Sequence, residues 1–181
     1  MLRGRGTKVN RIQITAAENG RNISEAEVKR VALLTIGETV KAYWDLVGAI
    51  DNLKVRQRSL DNAMRLVEIN EQRLRIGTAA AIEVLQAKAG AATRQSELIT
   101  ARTSILNSED VLKNFIHLTD DQIFSPKSII PTTSPGVVGF EWDLDQSMTT
   151  ALANRPELIS AEYQIENARL ETLRTRNERL P

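Results

Sequence analysis

The sequence predicts an all-α chain: a long antiparallel coiled-coil helical hairpin, then a connector and further helix. Three observations predict it. A heptad stripe free of proline runs for about ten helical turns toward Arg73-Leu74-Arg75-Ile76-Gly77-Thr78, and a second runs for about ten turns beyond it. Between them lie a glycine and a run of small residues, the chemistry of a reversal. Aromatic residues make up only 4% of the 181 residues, so Leu, Ile, Val and Ala must carry the apolar load, as coiled coils prefer.

Residues 1 to about 8 are rich in Gly and Arg and read as an irregular lead-in. Helix is expected from about Val9, with a weak point at Asn19-Gly20 and a capping-box-like restart at Ser24-Glu25-Ala26-Glu27. A register of alternating four and three steps then holds through Ile36, Thr39, Tyr43, Leu46, Ile50, Leu53, Gln57, Leu60, Met64, Val67, Glu71 and Leu74. Gln57 and Glu71 interrupt it at a cost in stability and can specify register. Gly77 stands where a C-cap glycine belongs, with Arg73 and Arg75 at the negative end of the helix dipole. Thr78 is expected to cap the next helix, with Glu83 in its early turns.

The return helix carries two stripes. One is Val84, Ala87, Ala91, Arg94, Leu98, Ala101, Ile105, Ser108, Leu112, Phe115; the other is Leu85, Ala89, Ala92, Ser96, Ile99, Thr103, Leu106. A two-helix hairpin needs one stripe, so two predict neighbours on both sides, as in a curved wall of helices. The helix should end near His117-Leu118. Residues 119–142 hold prolines and glycines and read as an extended connector, with Trp142 an anchor beneath it. Asp143 with Gln146 fits an N-cap for a short helix ending near a capping Asn154. Pro156 suits the first turn of a last helix whose main apolar residues are Leu158, Tyr163, Ile165 and Leu170. The expected organisation is 1–118 hairpin with its tip at about 77–80, 119–142 connector, and 143–181 closing helices.

Composition narrows the function. A net charge of +1 offers no electrostatic case for nucleic acid, and the absence of cysteine excludes disulfides and thiolate metal sites. No apolar run is long enough for a transmembrane helix, and the first residues lack a signal-peptide pattern. No catalytic constellation is visible. His117 has no metal-ligand spacing around it, Gly4-Arg5-Gly6 lacks the context of a phosphate loop, and the adjacent carboxylates of Asp120-Asp121 point apart. We therefore expect no enzyme, no cofactor and no metal. The tip is the candidate site: Arg73, Gly77, Thr78, Ala79 and Glu83. Capping preferences alone explain each residue type there. Equally, a tip of small residues lets a partner's backbone approach closely, with Arg73 and Glu83 offering polar pairing.

At these residues the chain resembles a family. Arg73-Leu74-Arg75-Ile76-Gly77-Thr78, with Glu83 five positions on and then Val84-Leu85-Gln86-Ala87, is similar to the periplasmic hairpin tip of the TolC-like outer-membrane efflux proteins. Ala42-Tyr43-Trp44-Asp45-Leu46, Leu2-Arg3-Gly4-Arg5-Gly6, Asn154-Arg155-Pro156-Glu157-Leu158 and Arg179-Leu180-Pro181 resemble further segments of the family in the same order. The resemblance implies the periplasmic tunnel segment of a trimeric outer-membrane channel for efflux or type I secretion. It implies a tip that docks to a periplasmic adaptor protein serving an inner-membrane pump. It places the chain at the end of one repeat and the start of a second, with membrane strands before Met1 and after Pro181. Glu83 falls where the family usually has Asp, so it keeps the charge with a longer reach. The competing expectations are a soluble antiparallel coiled-coil scaffold, and the adaptor itself, whose Gly-rich β flanks are missing here.

Overall fold

In a computed structural model, the structure describes residues 4, 6–116, 128–133, 135–136, 139 and 143–180. The expectations for His117, Asp120-Asp121 and Trp142 lie outside the described residues, as do those for most of the connector. Every described element is α-helical: α1 (Thr7–Asn10), α2 (Ile12–Arg75), α3 (Ala81–Phe115), α4 (Leu144–Asn154) and α5 (Pro156–Glu178). The all-α expectation holds. The described helices divide between two compact units, and α2 contributes to both.

The unit formed by 1–36 and 136–181 pairs the first part of α2 with α5. The pairing is antiparallel: Gly4 N–H donates to Asn177 Oδ1 at 2.8 Å, and Asn19 Nδ2 donates to Asn167 Oδ1 at 2.9 Å. The expected restart at Ser24 does not occur. Helix α2 runs through Asn19-Gly20 unbroken, because Asn19 is buried with a partner on α5, and the Ser24 hydroxyl donates back to the Gly20 carbonyl at 3.0 Å. Asp143 caps α4 as expected, its Oδ1 accepting from Asp145 N–H and Gln146 N–H. Asn154 remains inside the helix, its Nδ2 donating to the Thr150 carbonyl, and Arg155 is the residue between α4 and α5. Pro156 opens α5 and is buried. The inward face of α5 is Ile159, Tyr163, Asn167 and Leu170, while Leu158 and Ile165 are exposed.

The unit formed by 37–135 is the hairpin of α2 and α3. Of the expected register, positions 39 to 60, together with Val67 and Glu71, turn inward or lie half-buried. Ile36, Met64 and Leu74 are exposed, and Ala63 and Asn70 occupy the inner side in their region. Ala63 and Asn70 are a heptad apart and neighbour the expected Met64 and Glu71, so the inner stripe keeps its seven-residue repeat and uses the adjacent residue of the same seam. Two clusters form the core. Ala42, Leu46 (0% exposed) and Leu112 gather Tyr43, Ile50, Ile105, Phe115 and Ile129, while Val67, Ala87 and Ala91 gather Ala63 nearer the reversal.

The stripes of α3 have different fates. Every member of the first is buried or half-buried against α2; every member of the second is exposed. Glu71, expected to be a costly interruption, reaches across the hairpin to Lys88 at 2.7 Å, and Arg56 likewise meets Glu97 at 2.8 Å. Gln57 instead bonds Asp61 on its own helix at 3.1 Å.

Candidate functional site

The reversal between α2 and α3 is built by a Schellman motif. Thr78 N–H donates to the Arg73 carbonyl at 2.8 Å, and Gly77 N–H donates to the Leu74 carbonyl at 3.0 Å. This closure needs a left-handed residue between helix and turn, and Gly77 supplies it at φ 76°. Thr78 therefore belongs to the end of α2, not the start of α3: its hydroxyl donates to the Arg73 carbonyl at 3.2 Å. The N-cap of α3 is Ala80.

A methyl group cannot accept a hydrogen bond, so half of a capping box is missing. The Glu83 N–H bonds the Ala80 carbonyl at 3.0 Å, and the Glu83 carboxylate reaches back to the Ala80 N–H at 3.4 Å. Arg73 lies opposite. Its guanidinium is 3.9 Å from the Glu83 carboxylate and 3.4 Å from the Thr78 carbonyl. The structure thus brings Arg73, Thr78 and Glu83 together around Gly77, with Ala79 half-buried in the same turn. Glu83 bends back over its own helix start, where its charge favours the positive end of the dipole.

Three features escaped the sequence reading. Ile76 (73% exposed) and Ile82 flank the turn, giving the tip an apolar surface beside its small residues. Asn70 is buried and directs its Nδ2 toward the Glu83 carbonyl at 3.5 Å. A polar residue on the inner stripe three places before Arg73 was the available signal. Lys88 is the third: its ammonium holds the Glu71 carboxyl below the ordinary carboxylate range, chiefly by hydrogen bonding and then by charge, with Arg75 adding to it.

Among the described residues, no group of three or more His, Cys, Asp or Glu residues is placed to hold a metal ion. No described helix is long and apolar enough to cross a membrane.

The model of the family described as outer membrane efflux protein matches residues 7–116, more than half of the chain. The chain belongs to the outer membrane efflux protein family. The matched span takes in both helices of the hairpin and its tip. Among solved structures, this family member is similar to the Campylobacter jejuni CmeC outer membrane channel, with a TM-score of 0.73 at 20% identity. That likeness covers 90% of this chain and 34% of the CmeC chain, so the efflux-family chain spans about a third of the channel's length. None of the curated proteins matches it.

Proposed function

We propose that the hairpin is part of the wall of a periplasmic tunnel, in a trimeric outer-membrane channel for efflux or type I secretion, and that it has no enzymatic role. The observation that carries this is the divided fate of α3. One stripe is spent on α2, while Leu85, Ile99 and Leu106 face outward with their small neighbours. A helix with apolar character on two sides is a wall element, because each side can take a neighbouring helix. The outward stripe would seat helices of the completed homotrimer, and strands outside this chain would hold it in the outer membrane. In this reading the hairpin expected over 1–118 is formed by α2 and α3 from residue 37 onward, 1–36 pair with α5, 119–142 are the connector and 143–181 the start of a second repeat.

The tip then docks to a periplasmic adaptor protein serving an inner-membrane pump. Gly77, Thr78 and Ala79 offer close approach, Ile76 and Ile82 apolar contact, and Arg73 and Glu83 polar pairing. Site-specific photocrosslinking tests this in cells producing the full-length channel. A crosslinker at Ala79 should capture the adaptor, and one at Ile99 a second copy of the same chain. Capture of a second copy from Ala79, with no adaptor product, would refute docking through the tip.

A further inference from the structure

We propose that residues 129–133 are a brace holding α2 and α3 together, so that the helices beside it separate only when one of its two anchors is released. This does not rest on the channel reading. The segment has no regular secondary structure, yet its backbone is held at both ends. At one end Ile129 N–H donates to Glu109 Oε1 on α3 at 2.9 Å. At the other, Thr133 N–H donates to Tyr43 Oη on α2 at 3.2 Å. Between the anchors, Pro131 is half-buried, and the Ile129 side chain packs on the Ala42–Leu46–Leu112 cluster where the two helices meet.

The Glu109 anchor is built for the purpose. Its carboxylate and the Lys113 ammonium pair at 3.1 Å with only 5% and 8% of their side chains exposed. A buried ion pair is a poor source of stability, because desolvation offsets most of the attraction. This one aims an oriented, charged acceptor at a backbone N–H that would otherwise lose its partner on burial. Tyr43 matches it from the other helix, its ring packed on the same cluster and edge-on to Trp44 at 5.4 Å.

Nearer the tip no such crossing exists among the described residues. There the helices meet directly, with Leu60, Val67, Val84, Ala87, Ala91 and Leu98 buried and the exposed pairs Glu71–Lys88 and Arg56–Glu97 spanning them. With no third segment tying the two helices, opening of the hairpin should begin on the tip side of the brace and stop at it.

A brace has a distinctive signature: either anchor alone ties the segment to one helix only, so losing one is equivalent to losing both. Amide hydrogen exchange on the full chain reads this. Tyr43→Phe removes one anchor. Glu109→Leu with Lys113→Met removes the other without stranding a charge. Thr133→Pro removes the Tyr43 bond from the segment's own side, should the phenylalanine disturb packing. Each anchor-deleted protein should exchange about tenfold faster over 44–50 and 105–112, and the combined variant should show the same factor, about tenfold. Effects that multiply to about a hundredfold in the combined variant would mean two independent contacts and overturn the brace. Unchanged exchange in the helices, or an effect from one anchor alone, would overturn it equally.

Discussion

The tip depends on one backbone torsion. Gly77 sits at φ 76° with open space where a Cβ would stand, so the obstacle to substitution is the torsion and not a neighbour. A β-branched residue is poorest in that region, and Gly77→Val should lower stability by about 2 kcal/mol, with Gly77→Asn costing clearly less. Urea unfolding of both variants checks this; equal midpoints would remove the Schellman turn as the cause. Charge at the same level behaves differently. Because Lys88 depresses the Glu71 pKa in the folded chain, the pair stabilises the hairpin fully above the ordinary carboxylate range. That stabilisation is lost as pH falls through the lowered folded value. Glu71→Gln should therefore lower stability slightly at neutral pH, leave it little changed in acid, and so flatten the acid limb of the profile. An unaltered acid limb would show that other carboxylates control it. The Arg73–Glu83 pair is exposed and 3.9 Å apart, so Arg73→Ala should cost at most about 0.5 kcal/mol in stability. Its effect should appear in adaptor crosslinking, where a silent variant would exclude Arg73 from docking.

Adjacent residues of α3 separate internal packing from assembly. Leu98 is 2% exposed against α2, and Ile99 beside it is 55% exposed. Leu98→Lys places an unpaired charge in the hairpin core and should cost about 4 kcal/mol, enough to melt this unit in thermal circular dichroism. Ile99→Lys should leave the melting curve within about 0.5 kcal/mol of the parent. It should nevertheless reduce crosslinking between copies in the full-length protein, because the charge falls in the seam proposed for a neighbouring helix. Parental crosslinking by Ile99→Lys would reduce α3 to a helix with one functional face.

For the whole molecule, family membership and the likeness to CmeC carry different weight. The family match rests on residues 7–116 and fixes the lineage of the hairpin. The structural likeness reaches 90% of this chain and shows the fold. A trimer, a continuous tunnel and a docked adaptor are proposals, since this chain spans 34% of CmeC. The completed protein, solubilised from outer membranes, should measure as three copies. A monomer retaining the hairpin's helix content would overturn the tunnel while sparing the fold described here.

Local chemistry made much of this readable in advance. A proline-free heptad stripe admits no structure but a long helix, and a glycine followed by small residues at its end specifies the reversal. Two stripes on α3, the Asp143 cap and the Pro156 start were likewise legible, because each depends on neighbours a few positions away. Contacts between distant residues were not. The continuity of α2 through Asn19-Gly20 depends on Asn167, far along the chain, which offsets a local tendency to break. Whether Ala63 or Met64 turns inward is a choice between neighbours flanking one seam, and contact with Val67, Ala87 and Ala91 makes it. Thr78 capping the helix before it, and the anchoring of 129–133 by Tyr43 and Glu109, are choices among partners that spacing leaves equal. The sequence alone therefore determined which segments are helical and where the hairpin turns. Only tertiary structure decided which stripe is buried and which polar groups meet, because those depend on the free energy of contacts that exist only once the helices are side by side.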